Sequence, residues 1–156
     1  MSDAEFMQCA LDLAVHHVHT GRGGPFAALV VQDGGLVAAG ANRVTTQHDP
    51  TAHAEVVAIR AACQMLKTFD LSGCTLYTTC EPCPMCMGAI YWARLDRVVY
   101  AATREDAAAA GFDDAHFYEQ IRKPLSERDL PMDTCLTGEA DRPFEAWTAY
   151  SDRVRY

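Results

Sequence analysis

Residues 74–102 read CTLYTTCEPCPMCMGAIYWARLDRVVYAA and place a helix-like run between two β-rich runs. The β-branched and aromatic residues at 74–79 and 97–102 predict two strands. Prolines stand on both sides of Cys83, and proline suits only the first turn of a helix. A helix is therefore predicted from about Cys83 to Ala93, so that the segment forms a strand, a helix and a second strand.

The rest of the chain adds helices and strands around this segment. Asp33, Gly34 and Gly35 separate two apolar runs and predict the turn of a β-hairpin. Asp49 is a predicted helix cap, with Pro50 at the first helical position. The predicted elements are a helix at 4–20, strands at 26–32 and 35–42, a helix at 50–66, the segment above, a short helix ending at Gly111, a strand at 129–138 and a helix at 142–156. This order predicts an α/β fold, a three-layer α/β/α sandwich with a central mixed sheet of about five strands.

The composition bounds the size of the protein and its partners. The chain has 156 residues, of which 49% are apolar and 22% charged, and it shows no repeat or linker. A single domain over residues 1–156 is predicted, with 138–156 as a C-terminal helical segment. The 21 acidic residues outnumber the 13 basic ones, which disfavours a nucleic-acid partner.

The cysteine count and the apolar runs predict the compartment. The first residues lack the pattern of a signal peptide, and no run of about 18 apolar residues could span a membrane. Seven cysteines are an odd number in such a chain, which indicates a reducing environment rather than a disulfide framework. We therefore expect a cytoplasmic protein with no membrane partner.

Cys83 and Cys86 lie three positions apart, on one side of the predicted helix start. Such a pair can form a disulfide, act as a redox couple or bind a metal. Helix N-termini favour anions, so we expect both thiols to ionise and to bind a cation. His53, also at a predicted helix start, is the best candidate for a third ligand. One nitrogen and two sulfur ligands leave a fourth tetrahedral position open, which is the pattern of catalytic zinc sites.

Cys80 offers an alternative, because CEPCPMC contains three evenly spaced cysteines. Cys80 could replace His53 as a ligand, or the run could hold an iron–sulfur cluster. Both are disfavoured, because Cys80 belongs to the end of a strand and no fourth cysteine follows at a suitable spacing. For His16, His17 and His19 of the first helix, a surface or packing role is predicted.

Glu55 follows His53 by two residues, so on a helix flank the two side chains would point apart. The difficulty disappears if the metal lies beyond the helix end, where first-turn side chains can curl inward. Glu55 could then take a proton from water and pass it to a leaving nitrogen. H-A-E followed by P-C-x-x-C, with a strand between them, matches the signature of zinc nucleobase deaminases.

Four stretches extend this match: NRV at 42–44, DPTAHAEVVAIR at 49–60, LYTTCEPCPMCMGAIYWAR at 76–94 and AAAAGFDDAHFYEQI at 107–121. Together they resemble bacterial guanine deaminases of the cytidine-deaminase-like superfamily, over nearly the whole chain. The resemblance implies hydrolysis of guanine to xanthine and ammonia, with one Zn2+ per subunit.

The resemblance also implies roles for individual residues. His53, Cys83 and Cys86 would hold the zinc, and Glu55 would shuttle protons. Asp114 would meet the purine edge as both a catalytic and a substrate-binding residue. The implied substrate-binding residues are Phe26, Asn42, Ala54, Trp92, Asp114 and Tyr156. Without the resemblance, Asn42 could be a turn residue, Trp92 a core residue and Asp114 part of a solvated acidic turn.

The resemblance further implies a homodimer. Phe144, Trp147 and Tyr150 recur every three residues and need a surface on which to bury their common face. Exchange of residues 138–156 between subunits would let Tyr156 reach the partner's site.

Other functions compete with guanine deamination. A guanosine deaminase needs room for a ribose, and the sequence separates it poorly from a guanine deaminase; a deaminase of cytosine or another small base is a further alternative. A tRNA adenosine deaminase is disfavoured by the net charge of −8 and by the acidic GFDD stretch. A non-catalytic zinc module is disfavoured because structural sites fill all four positions, which leaves Glu55 unexplained.

Overall fold

Four strands form one mixed sheet in the computed structural model, which describes residues 1–156. They are β1 (Ala27–Gln32), β2 (Gly35–Ala41), β3 (Cys74–Cys80) and β4 (Arg97–Ala102), in the order β2-β1-β3-β4. β1 runs antiparallel to both β2 and β3, and β3 runs parallel to β4. The predicted mixed sheet is confirmed, with four strands instead of about five.

Seven α-helices accompany the sheet. They are α1 (Asp3–His19), α2 (Val44–Gln47), α3 (Ala54–Leu66), α4 (Pro84–Trp92), α5 (Arg104–Ala109), α6 (Ala115–Arg122) and α7 (Arg142–Ala149), with 3-10 turns at Leu125–Glu127 and Thr137–Glu139. The predicted strand at 129–138 is wrong, since this stretch pairs with no strand and ends in a 3-10 turn. Pro131 lacks an N–H group to donate to a ladder, which disfavours a strand there.

Helix α3 begins at Ala54, later than the predicted start at Pro50. The carboxylate of Asp49 accepts hydrogen bonds from the Thr51 N–H (2.8 Å) and hydroxyl (2.7 Å), so it caps a local turn instead of the helix. His53 becomes the N-cap residue, with the extended backbone angles φ −66° and ψ 153°. Its side chain therefore lies outside the regular helix.

The two faces of the sheet carry separate helical layers. Successive strand residues point to opposite faces. In β1, Leu29 and Val31 pack with residues of α1, whereas Ala28 and Val30 pack with residues of α3 and α4. The predicted three-layer sandwich is confirmed, and it places α3 and α4 on the same face.

The β1–β2 hairpin brings the sheet close to α3. Asp33 and Gly34 form the two-residue turn with φ values of 50° and 72°, the positive angles that a type I′ turn requires. At Gly40, a Cβ atom would lie 2.5 Å from the Ala54 carbonyl oxygen. The absence of a side chain at Gly40 therefore lets β2 pack directly against the first turn of α3.

The chain divides into two compact units, Met1–Asp114 and Ala115–Tyr156. The first contains the sheet and helices α1 to α5, and the second contains α6, the two 3-10 turns and α7. No helix of the protein has both the length and the apolar character needed to cross a bilayer. The single domain over residues 1–156 remains a prediction.

Candidate active site

The N-terminal ends of α3 and α4 bring three potential metal ligands together. His53 is the N-cap of α3 and Cys83 is the N-cap of α4, with Pro84 at the first helical position. Cys86 follows in the first turn of α4 and is fully buried. Both helices pack on the same face of the sheet, which places their first turns side by side.

The distances between the three side chains fit a zinc ion. The Nδ1 atom of His53 lies 3.6 Å from the Cys83 sulfur and 3.5 Å from the Cys86 sulfur. All three ligand atoms lie within 4.8 Å of one another. Tetrahedral zinc with ordinary Zn–S and Zn–N bonds separates such ligands by about 3.5–3.8 Å. The donor set of two sulfurs and one nitrogen also matches the preference of zinc.

The two thiols titrate in opposite directions. A hydrogen bond from the Cys86 thiol lowers the pKa of Cys83 to about 4, although burial opposes this change. The same hydrogen bond, together with burial, raises the pKa of Cys86. Hydrogen bonding to Cys83 raises the pKa of His53, again against burial. The two thiols share one hydrogen bond, and the expectation that both ionise readily when they bind a cation stays a prediction.

Glu55 lies against this cluster. Its side chain is only 6% exposed, and Cys83, Cys86 and His53 all lie close enough to influence the pKa of its carboxyl group. Burial is the main cause of the raised pKa of Glu55, and the negative charge of Cys83 adds to it. Because His53 is an N-cap with extended backbone, His53 and Glu55 can both face the cluster despite their spacing of two residues.

Asn42 and Phe26 lie together beside the end of the β1–β2 pair. Asn42 is buried, and its side-chain oxygen accepts hydrogen bonds from the backbone N–H groups of Gly24 (3.4 Å) and Val44 (3.2 Å). Its own N–H donates to the carbonyl of Phe26 (3.0 Å). The Phe26 ring meets the edge of the Phe112 ring, with centroids 4.9 Å apart. Sequence reasoning missed Phe112, for which the available signal was its place in GFDD, two residues before Asp114.

Asp114 and Cys80 belong to the same neighbourhood. Burial raises the pKa of Asp114, and the charge of Cys83 raises it further. Burial and the charges of Glu55, Glu81 and Asp114 raise the pKa of Cys80 to about 11. The Cys80 thiol donates a weak hydrogen bond to the Thr103 carbonyl (3.6 Å). Cys80 is not one of the three residues whose ligand atoms lie within 4.8 Å of one another, which agrees with its exclusion as a ligand.

The three other residues predicted to bind substrate, Ala54, Trp92 and Tyr156, lie in different parts of the structure. Ala54 is fully buried as the first residue of α3, directly after His53. Trp92 is the last residue of α4, about 12 Å along the helix axis from its start, and it is 67% exposed. Tyr156 belongs to the C-terminal unit and is exposed. The structure does not bring Trp92 to the metal ligands of its own chain, and its role remains a prediction.

A family model of the cytidine and deoxycytidylate deaminase zinc-binding region matches residues 1–102. The chain belongs to this family. The family binds zinc, and the geometry of His53, Cys83 and Cys86 fits that metal, so zinc is the cofactor.

Two of the proteins similar to this chain are guanine deaminases. Guanine deaminase from Bacillus subtilis is 51% identical over 156 residues, which cover 100% of both chains. Its X-ray structure matches with a TM-score of 0.98 over 100% of this chain and 99% of that one. The structure of guanine deaminase from Nitrosomonas europaea is 38% identical, with a TM-score of 0.68 over 74% of this chain and 66% of that one.

Relatives that act on tRNA match less of the chain. The tRNA-specific adenosine deaminase of Buchnera aphidicola is 43% identical over 101 residues, which cover 65% of this chain and 62% of that one. The match to the Bacillus enzyme, in contrast, includes residues 103–156 and with them the GFDD stretch.

Proposed function

We propose that this chain is a zinc-dependent aminohydrolase that converts guanine and water into xanthine and ammonia. One observation carries the proposal: a buried carboxyl group, Glu55, lies beside a cluster of only three metal ligands. A structural zinc site fills its fourth position with protein, whereas a catalytic site leaves that position to water or substrate. The full-length similarity to the Bacillus guanine deaminase supports guanine as the substrate.

His53, Cys83 and Cys86 would hold the zinc. When bound, zinc supplies Lewis acidity that makes water a competent nucleophile near neutral pH. The position of the three ligands at two helix N-termini suits this task, because both helix dipoles favour the thiolate form of the ligands.

Glu55 carries the proton between the two reacting groups. As the water oxygen bonds to the ring carbon that bears the exocyclic amine, Glu55 takes a proton from the water. It then delivers that proton to the amine nitrogen while the carbon–nitrogen bond breaks, so that ammonia leaves. Burial raises the pKa of Glu55 above its ordinary value, which strengthens its carboxylate as a proton acceptor.

Asn42, Asp114 and two aromatic rings would hold the purine. The Asn42 side-chain oxygen is already used by two backbone N–H groups, so its NH2 group is the one to donate to a ring acceptor. The Asp114 carboxylate can accept from the N–H donors along one edge of guanine. Phe26 and Phe112, whose rings meet edge to face, would form an apolar wall beside the purine.

We also propose that the protein is a homodimer in which residues 138–156 are exchanged, so that Tyr156 completes the partner's site. In the single chain none of residues 115–156 is buried. Large apolar side chains there are each more than 40% exposed: Phe117, Ile121, Leu125, Leu130, Met132, Leu136, Phe144, Trp147, Tyr150, Val154 and Tyr156. Monomeric proteins rarely expose so much apolar surface, which supports a second copy as its cover.

A substrate screen tests the function. The zinc-loaded protein is incubated separately with guanine, guanosine, cytosine, adenine and tRNA, and ammonia is measured. The expected result is equal release of ammonia and xanthine from guanine, lost after chelation and restored by added zinc. Turnover of guanosine in place of guanine would identify the nucleoside as substrate. Ammonia release from cytosine or tRNA alone would overturn the assignment of guanine as the substrate. If no compound released ammonia, the protein would be a non-catalytic zinc module.

A further inference from the structure

His17 contacts a residue of the proposed substrate pocket. It lies near the C-terminal end of α1 and is only 7% exposed, whereas His16 and His19 are exposed. Its Nε2 atom is 2.6 Å from the carbonyl oxygen of Asn42. Because a carbonyl oxygen can only accept, Nε2 carries a proton and donates it to this hydrogen bond.

The hydrogen bond replaces one that the sheet would otherwise supply. Asn42 stands opposite Phe26, one position beyond the last residue of β2 and one before the first of β1. An antiparallel pair of this kind exchanges two hydrogen bonds, and the first is present, since the Asn42 N–H donates to Phe26. The Phe26 N–H turns instead to the Gly24 carbonyl (2.9 Å), which leaves the Asn42 carbonyl to His17.

Gly23 makes room for this contact. A Cβ atom at Gly23 would lie 2.1 Å from the Asn42 oxygen and 2.9 Å from His17 Nε2. The loop between α1 and β1 therefore passes close to both groups only because it has glycine here. With the bonds from Gly24 and Val44 to its side chain, Asn42 is held at both its backbone and its amide.

We infer that His17 is a positioning residue for substrate recognition, which fixes the Asn42 backbone so that the side-chain amide meets the purine. The inference rests on the proposed function, because it deepens the role of Asn42 there. A packing role alone would need a ring of similar size at this position, but not a donor at Nε2. His17→Phe therefore removes the function and keeps most of the bulk, whereas His17→Gln keeps a donor close to the Nε2 position.

Steady-state kinetics of guanine deamination distinguish a positioning role of His17 from a packing role. We expect His17→Phe to lower kcat/KM by about tenfold or more, mainly through a higher KM, because a buried carbonyl loses its partner and Asn42 shifts. His17→Gln should stay within about threefold of wild type, because its amide replaces the donor. His16→Phe is the matched control on the exposed side of the same helix and should leave both constants unchanged.

A double-mutant cycle with Asn42→Ala tests whether His17 acts through Asn42. If it does, His17→Phe should lower kcat/KM only slightly further in a protein that already carries Asn42→Ala. Additive losses in the double variant, or equal kinetics for His17→Phe and wild type, would overturn the inference. Should His17→Phe fail to fold, His17→Asn replaces it, because its shorter amide does not reach the Nε2 position and should lose activity where His17→Gln keeps it. A wild-type protein that releases no ammonia from guanine would defeat the proposed function itself, and the inference with it.

Discussion

The environment of Glu55 depends on Cys86, which is 31 residues away in the chain. Glu55 lies near Cys86 because α3 and α4 pack on the same face of the sheet. Burial raises the pKa of Glu55, which strengthens its carboxylate as a base toward water. The side chain is therefore expected to affect turnover far more than folding or metal binding.

Glu55→Gln should retain zinc and lose at least about a hundredfold in kcat, because the amide keeps the shape of the side chain but cannot carry a proton. Metal analysis and initial rates on the same sample check this prediction. Glu105→Gln, which changes an exposed acid on α5, is the control and should behave like wild type. A near-normal rate from zinc-loaded Glu55→Gln would contradict the assigned role.

Sequence reasoning succeeds at residues whose role depends on local position. Prolines beside Cys83 indicate a helix start, and this alone places Cys83 and Cys86 on one side of the first turn. His17 and Phe112 have no such local mark. The burial of His17 depends on the path of the loop at 20–26, and the contact of Phe112 with Phe26 depends on a turn 86 residues away in the chain. Both contacts are tertiary, so a surface or packing role for His17 was the reasonable expectation from its neighbours.

At the level of elements, the contact between β2 and α3 supports the position of His53. Gly40→Ala should lower the free energy of unfolding by about 1–3 kcal/mol, because the new methyl group meets backbone atoms of Ala54 and Ala58 that cannot rotate away. Gly35→Ala lies on the same strand, where the added Cβ has an ordinary contact of 3.5 Å with the Gln32 carbonyl. It is expected to change stability by less than about 0.5 kcal/mol. Chemical denaturation of both variants would test this, and equal stabilities would contradict the close packing at Gly40.

An ion pair joins the start of α1 to the sheet, so the stability of the protein should depend on pH. Arg97 donates two hydrogen bonds to the Asp3 carboxylate (3.0 and 2.6 Å), and the Tyr77 hydroxyl donates a third (2.6 Å). Arg97 first and Tyr77 second lower the pKa of Asp3 below its ordinary value of 3.8. A carboxyl group with a lowered pKa in the folded state stabilises the protein above its unfolded pKa, and this contribution fades as the pH falls through the folded pKa.

Asp3→Asn should therefore reduce the free energy of unfolding at neutral pH, with the difference from wild type shrinking as the pH falls below about 4. Unfolding curves at a series of pH values measure that difference. Asp12→Asn changes an exposed acid of the same helix and controls for net charge. A constant difference at all pH values would show that the Asp3 charge does not fasten the helix.

Among the elements, those whose ends carry turn residues or prolines were predicted best. The turn at Asp33 and Gly34 and the prolines of α4 gave the hairpin and the central helix almost to the residue. The stretch at 129–138 had apolar residues but no periodic pattern and a proline inside it, and the predicted strand was wrong. Whether such a stretch pairs depends on a neighbouring strand, which local composition does not reveal.

At the scale of the whole molecule, many apolar side chains stay exposed to solvent in the single chain. Tyr91 and Trp92 at the end of α4 are 76% and 67% exposed, and residues 115–156 bury no side chain. We expect a homodimer at micromolar concentration, because covering this surface removes apolar area from water. Light scattering measures the mass directly, and a monomer under these conditions would contradict the dimer.

Mixing two inactive variants tests whether the C-terminal segment completes the partner's site. Glu55→Gln inactivates its own site but keeps Tyr156, and Tyr156→Ala keeps Glu55 but removes the aromatic group proposed to close the site. If the segment is exchanged, a mixed dimer contains one site with both Glu55 and Tyr156. Equal mixing with full subunit reassortment should then restore about a quarter of wild-type activity, since half of the dimers are mixed and each has one complete site. Activity no higher than the mean of the two separate variants would show that each Tyr156 serves its own chain or no site, provided that light scattering of tagged subunits confirms that mixed dimers form.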